Sequence, residues 1–360
     1  MREIPSAKNL VIPALLVISL FVLQLRRSAE QIPLWRHQGL IMGTSYTVQM
    51  YHPEEVSRST ITDALSAVNQ SMSTYLKTSE LSELNAASAG EVRQVSAPLR
   101  EVLVAAKQVS KASGGAFDVT VGPLVNAWGF GPEGRRPTPT KLKIAELKER
   151  CGDDLWSLES AGVRKSHAEV QLDLSAIAKG FAVDQVARAL DAQSVKSYWI
   201  EVGGEVRVKG SKPLGGAWRV GIERPAGEGE RRIFRVMSLR DQSVATSGDY
   251  RNRYRDDQGV IRSHTIDPRT GEPVRHQLAS VSVFHAENMF ADAWATALNV
   301  LGATEGLKVA NQHKLEALFI IRARSPDNAQ SDLLELDTPD TSYRAVMSEA
   351  LSARLAREEE

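Results

Sequence analysis

The stretch Leu172-Asp-Leu-Ser-Ala-Ile-Ala-Lys-Gly-Phe-Ala-Val-Asp184 reads as a strand end running into a helix. Ser175 is placed to cap the following segment, and Val183, Val186, Ala187 and Leu190 recur at helical spacing. Asp173, the Ala176 backbone and Lys179 are therefore expected to gather at a helix N-terminus. Such an end attracts anions, because its first N–H groups lack partners within the helix. An acid just before it and a lysine in its first turn suit a phosphate-bearing ligand, or a cation bridging to one. Standing alone, the stretch also fits a capped junction with an exposed lysine. After the helix, Tyr198-Trp-Ile-Glu-Val-Gly-Gly-Glu-Val-Arg-Val-Lys-Gly210 reads as a strand interrupted by paired glycines. Gly203 and Gly204 remove side chains where a ligand or another backbone can come close.

With 360 residues the chain can bury a sizeable core, in one large domain or two modest ones. Lysine plus arginine equals aspartate plus glutamate at 44 each, so no global field recruits nucleic acid. The single cysteine, Cys151, excludes an internal disulfide and any cysteine-based metal cluster. Arg2 and Lys8 precede an apolar run from Leu10 to Leu25, which is long for a signal-peptide core and short for a spanning helix. Both readings mean export. Arg26-Arg27 follow directly without a clear small-x-small cleavage site, which favours a retained anchor over a removed signal.

Several other runs have a local reading. Leu40 to Met50 alternates as a strand with Tyr46, Val48 and Met50 on one face, and a helix from Glu54 to Asn69 is marked by Ile61, Leu65 and Val68. Met72 to Asn85 reads as a loop. Leu99, Val102, Leu103, Ala106 and Val109 make an amphipathic helix stopped by Gly114-Gly115, and Lys141 to Arg150 a shorter one. Gly129-x-Gly131-x-x-Gly134 fits the dinucleotide fingerprint by letter. Pro132 inside it and Arg135-Arg-Pro-Thr-Pro after it leave no room for the required helix, so a Rossmann site is rejected. Trp218 to Ile222 and Ile233 to Leu239 read as strands around a turn at Pro225 to Glu230.

Two later blocks carry chemistry. Thr246, Ser247 and Gly248 offer hydroxyls and close backbone approach for phosphate oxygens, and His264, where a strand enters a proline turn, can take a proton from an attacking hydroxyl. Asp292 and Thr296 lie four apart in Phe290-Ala-Asp-Ala-Trp-Ala-Thr-Ala-Leu298, a predicted helix after a strand at Ala279 to Phe284. They share one helix face and offer hard oxygen ligands, which select Mg²⁺ over zinc. A helix to Gln312 and a strand at Leu315 to Ile321 follow, and Val346, Met347, Ala350, Leu351 and Leu355 suit a closing amphipathic helix.

Taken together, Leu172 to Gly210, Met42-Gly43-Thr44, Met72 to Asn85, Ala116 to Gly131, Ser243 to Arg251, Ser263 to Pro273 and Phe290 to Leu298 resemble the ApbE family. These are flavin transferases that move the FMN part of FAD onto a protein Thr or Ser. The resemblance spans Leu40 to Ile321. It implies a ligand-binding role for Met42, flavin packing by Tyr75, and nucleotide contacts from Ala116, Phe117 and Asp118, with Asp173 also at the nucleotide end. Ile266 would contact FAD, and Lys179 would offset pyrophosphate charge. The metal would be held by Asp292 and Thr296 with the backbone oxygens of Ala176 and Ala295. Some members carry an acid at the Ala295 position, which this chain lacks.

The expectation is an α+β protein with one two-lobed catalytic domain at 35–322, preceded by an anchor or signal at 1–30 and followed by a polar tail at 323–360. Its activity would be Mg²⁺-dependent transfer of FMN from FAD to an exported or membrane-bound flavoprotein, releasing AMP. The alternatives are hydrolysis of FAD at the same site and non-catalytic carriage of flavin. No cysteine follows the apolar run, so lipid attachment on the family's lipoprotein pattern is excluded. The expected location is the inner membrane with the catalytic domain facing the periplasm, or the periplasm itself after cleavage.

Overall fold

A computed structural model describes residues 15–22, 32–225, 232–249, 253–257, 259–323, 335–336 and 342–359. Its frame is a nine-stranded sheet in the order Leu34–Ile41, Thr44–Tyr51, Ser197–Val202, Glu205–Lys209, Gln242–Gly248, Leu278–His285, Glu316–Arg322, Tyr343–Met347 and Glu335–Leu336. Every neighbouring pair is antiparallel. The side-chain period of two divides the strands between two cores. Val281, Val283, Ala317 and Phe319 join the larger one, which packs the helices Arg58–Met72, Ala97–Ala112, Ala178–Ala192 and Asn288–Gln312. Phe284, Leu318 and Ile320 point the other way, against the hairpin Trp218–Glu223 and Ile233–Leu239 and the C-terminal helix Glu349–Glu359. Both faces are thus covered, which is why Leu278–His285 is buried almost throughout, Ser280 and Ser282 included. An antiparallel sheet with most of its helices gathered on one face makes this an α+β fold.

The structure corrects several local readings. Leu40 to Met50 is not one strand: Met42 and Gly43 form a hairpin turn with φ of 51° and 71°, pairing Ile41 with Thr44. The Gly203-Gly204 pair is likewise a turn, between Ser197–Val202 and Glu205–Lys209. The first long helix starts at Arg58, after a Ser57 cap, and ends at Met72. Part of the stretch read as a loop is the helix Glu80–Ala86, capped by Ser79. Val346 and Met347 lie in a strand, because the register with Leu318 and Phe319 extends the sheet. The helices expected on either side of Gly302 are both present, and they meet end to end at that residue, whose φ of 74° is non-helical.

The quoted stretch also differs in detail. Leu172 to Leu174 belongs to no sheet; it is tied by the Asp173 N–H, which donates to the Val119 carbonyl at 2.6 Å. Ser175 caps nothing. Ile177 occupies the cap position without a side-chain bond, and Asp173 Oδ1 instead accepts from the Ser175 N–H at 2.8 Å. The helix Ala178–Ala192, hereafter the lysine helix, then packs on the helix Asn288–Gln312, hereafter the long helix.

The anchor or signal reading falls mostly outside the described residues. Residues 15–22 are helical with exposed apolar side chains. Among the described residues no helix is long and apolar enough to cross a membrane. Residues 226–230 of the turn read at Pro225 to Glu230, Tyr250-Arg251 and most of the run from Arg324 to Ser342 also lie outside them.

Gly180 is the point of closest approach between the two helices. A Cβ there would lie 2.5 Å from the Asn288 carbonyl oxygen and 2.9 Å from Asp292 Cβ. Gly180→Ala should force the helices apart and lower unfolding free energy by about 1–3 kcal/mol. Chemical denaturation of the variant checks this; an unchanged midpoint and slope would show that the helix pair absorbs a methyl group.

Candidate active site

The site begins at the two helix starts. Lys179 Nζ lies 2.8 Å from Glu205 Oε1 and 3.5 Å from Asp292 Oδ2. The side chain of Lys179 is 30% exposed while both acids are buried, so the ammonium sits at the mouth of a carboxylate pair. Partial burial opposes its charge, but Asp292 and then Glu205 more than offset that effect and raise its pKa. Asp292 Oδ2 also accepts the Gly180 N–H at 3.0 Å. Gly203 lies alongside with φ of 61°. A Cβ there would approach Thr44 Cγ2 to 2.9 Å and Lys179 Cδ to 3.4 Å, so a side chain is excluded by space as well as by conformation. The hairpin start Thr44 and the glycine turn thereby border Lys179, with Met42 half-buried in the adjoining turn.

A second patch holds Asp118, Asp173 and Tyr75. Asp118 Oδ1 accepts from the Thr120 N–H at 2.8 Å and from the Thr120 hydroxyl at 2.7 Å. Burial pushes the Asp118 carboxyl pKa up against those bonds. Its side chain lines a cleft of about 630 Å³ together with Gly114, Gly115, Lys111, Lys148 and Arg269. Ala116 and Phe117 turn into the core, which leaves Asp118 as the member of that trio whose side chain faces the cleft. Tyr75 is 65% exposed, and its hydroxyl pKa is raised by partial burial and then by the charge of Asp173. Cys151 also lines the cleft; burial and the charge of Asp118 push its thiol up to about 12, which keeps it protonated and unreactive.

The third patch surrounds the proline turn. Thr246 shares a 2.7 Å hydrogen bond with the Ser282 hydroxyl, and Ser247 accepts one from Asn299 Nδ2 at 3.1 Å. Gly248 ends that strand opposite Ser280. Asn299 Nδ2 also donates to Thr265 Oγ1 at 3.2 Å, beside His264. Phe130 packs against both His264 and Tyr254, at ring separations of 6.3 and 5.1 Å. The Tyr254 hydroxyl donates to the Trp128 carbonyl, and Trp128 Nε1 to the Gly271 carbonyl, each at 2.8 Å. The Trp128 to Gly131 tail is thus folded onto the His264 turn. Ile266 is buried with Leu124, Trp128, Ile144 and Leu147, and pairs with Pro273 across the turn.

Asp292 and Thr296 both face outward from the first turns of the long helix only slightly, Asp292 being buried and Thr296 half-buried, and Ala295 is buried beside them. Both hydrogen bonds to Asp292 among the described residues fall on Oδ2, which leaves Oδ1 for a cation. No group of three or more His, Cys, Asp or Glu among the described residues can hold a metal. One carboxylate, a hydroxyl and the Ala176 and Ala295 carbonyls fit an ion that accepts neutral oxygens and completes its shell with water and substrate phosphates, as Mg²⁺ does. Sequence spacing misses Glu205, Asn299 and Tyr254, whose partners are all distant in the chain.

A one-domain α+β protein with a lysine held between acids, a polar cleft and a hard-oxygen helix face belongs to the class of nucleotide-handling enzymes. A family model described as "ApbE family" matches residues 42–319. The FAD:protein FMN transferase of Haemophilus influenzae is 41% identical over 297 residues, covering 79% of this chain and 85% of that one. Its namesake from Vibrio cholerae is 39% identical over 302 residues, covering 82% and 89%. Among solved structures, the flavin transferase ApbE from Vibrio cholerae superposes with a TM-score of 0.76 at 34% identity, covering 89% of this chain and 99% of that one. The apo flavinyl transferase ApbE of Pseudomonas stutzeri gives 0.76 at 33%, covering 89% and 96%. The chain belongs to the ApbE family.

Proposed function

We propose that this chain transfers the FMN part of FAD to a Thr or Ser hydroxyl of a flavoprotein, releasing AMP. The observation that carries the reading is the Lys179 ammonium held between Glu205 and Asp292 where two helices start, in a chain 41% identical to a named FAD:protein FMN transferase. Lys179 binds and neutralises pyrophosphate oxygens, and the positive end of the lysine-helix dipole adds to its field. Asp118 and Asp173 hold the nucleotide end, Tyr75 and Met42 cover the flavin, and Thr246, Ser247 and Gly248 line the phosphate path. His264 takes the proton of the acceptor hydroxyl as its oxygen bonds to the FMN phosphorus. The bond from that phosphorus to the bridging oxygen breaks, and AMP leaves with that oxygen.

The residues that would hold Mg²⁺ are Asp292, Thr296 and the carbonyls of Ala176 and Ala295. When bound, the ion would polarise the pyrophosphate and offset developing charge. The acceptor is an exported or membrane-bound flavoprotein, and the N-terminal apolar run keeps the enzyme beside it. Water in place of the acceptor hydroxyl would make the same site an FAD hydrolase. Incubation with FAD, Mg²⁺ and an acceptor protein, read by intact mass, separates the two: covalent flavin on the acceptor supports transfer, and free FMN alone overturns it.

Asp292→Ala removes the only carboxylate of the proposed ligand set and should abolish transfer at ordinary Mg²⁺ concentrations. Near wild-type transfer by this variant would remove Asp292 from the site.

His264→Ala should leave FAD affinity within about twofold while slowing transfer about a hundredfold or more, the usual scale of general-base catalysis. Parallel loss of binding and rate would make His264 structural.

For location, the full chain should stay with membranes after high-salt and carbonate washes. Recovery as a soluble periplasmic protein with a mature N-terminus near Ala29 would instead mean a cleaved signal.

A further inference from the structure

We infer that Asp184 is a positioning residue for the proposed metal site, acting through the start of the long helix. Asp184 lies in the lysine helix with only 1% of its surface exposed. Its Oδ1 accepts the N–H of Asn288 and its Oδ2 the N–H of Met289, both at 2.9 Å. These are the first two residues of the long helix, whose own cap position, Glu287, makes no side-chain capping bond. A carboxylate from one helix therefore caps another. The arrangement satisfies two orphan donors and places negative charge at the positive end of the helix dipole.

Two further contacts make this cap rigid. Arg207 pairs with Asp184 Oδ1, which supplies a counter-charge for the buried carboxylate. Asn288 Nδ2 donates to the Val206 carbonyl at 2.7 Å and to that of Val244 at 3.4 Å, locking the helix start onto two strands of the sheet. Asp292 follows Asn288 by one helical turn, and it returns a bond to the lysine helix through the Gly180 N–H. The two helices thus exchange carboxylates: Asp184 serves the start of the long helix, and Asp292 serves the start of the lysine helix.

The consequence for the site follows from where the proposed ligands originate. Asp292 and Thr296 ride on the long helix, whereas Ala176 precedes the lysine helix. Their separation is set by how the two helix starts dock, and Asp184, together with Asp292 itself, bridges them. Mg²⁺ demands near-ideal octahedral geometry, so a small slip of one helix start weakens it. FAD contacts at Asp118 and Tyr75 lie on other elements and need not change.

The inference rests on the metal-site reading above, and the experiment separates the two. Full-length wild type, Asp184→Asn and Asp292→Ala are titrated with Mg²⁺, reading both transfer rate and the melting temperature of the FAD-loaded protein. Asp184→Asn keeps shape but loses one of two acceptors and the charge. It should raise the half-saturating Mg²⁺ concentration about tenfold or more in both readouts, with KM for FAD within about twofold and the rate largely recovered at high Mg²⁺. A wild-type Mg²⁺ requirement in Asp184→Asn, with loss of response in Asp292→Ala, would overturn the inference alone. A wild-type requirement in Asp292→Ala would overturn the metal-site reading itself. Should Asp184→Asn not fold, Arg207→Gln leaves the carboxylate in place and loosens it. It should then raise the Mg²⁺ requirement about threefold, a smaller change than for loss of the carboxylate, and an unchanged requirement would overturn the inference.

Discussion

The exchange of carboxylates between the lysine helix and the long helix is the constraint on which the rest of the site depends. Each helix start brings orphan N–H groups into a buried place where water cannot serve them, and each is met by an acid from its neighbour. Buried carboxylates are tolerable only when paired, and here Arg207 answers Asp184 while Lys179 answers Asp292 and Glu205. The same arrangement explains Gly180, since carboxylate-to-amide reach requires backbones closer than a methyl group permits.

The sheet turns this local exchange into a site. Its central strands are covered on both faces, so they are stiff and their ends are fixed relative to one another. Glu205 and Arg207 alternate along one strand with Val206 and Val208, which face the opposite core. The polar face of that strand therefore supplies one residue to each cation-acid pair. The neighbouring Gly203-Gly204 turn brings the Thr44 hairpin against Lys179, because the strand Thr44–Tyr51 pairs with Ser197–Val202. A short hairpin register fixes the mouth of the site without any long loop.

What the sequence makes legible follows the range of the interaction. Helical spacing of Val183, Val186, Ala187 and Leu190 identifies the lysine helix, and paired glycines at 203–204 mark a close approach, because both signals are local. The role given to Ser175 fails because Asp173, two residues earlier, makes the competing bond to the Ser175 N–H itself. Val346 and Met347 sit near residues with helical spacing, yet an available sheet edge at Glu316–Arg322 draws them into a strand. Glu205, Asp184 and Asn299 carry no local signal. Glu205 meets Lys179 from 26 residues away, Asp184 meets Arg207 and Asn288 from 23 and 104, and the Asn299 side chain meets Thr265 and Ser247 from 34 and 52, so their pairing exists only after the sheet has formed. The family resemblance brought Ala116, Phe117 and Ile266 forward as ligand residues, and the structure buries all three side chains.

The long helix also acts as a ruler. Asp292 stands near its start against Lys179, and Asn299 lies two turns on, about 10 Å along the axis at the usual rise per residue. Asn299 fastens that second point to Ser247 and to Thr265, next to His264. One rigid element therefore sets the span between Lys179 and the turn that carries His264, the proposed base. Beyond Asn299 the helix kinks at Gly302, where His276 occupies the space a Cβ would need and its Nε2 bonds to the Asn299 carbonyl at 2.6 Å. The kink ends the ruler just past its last functional mark. Placing both ends of the site on a packed helix, with the sheet holding its start through Asn288, gives a fixed spacing that flexible loops could not maintain.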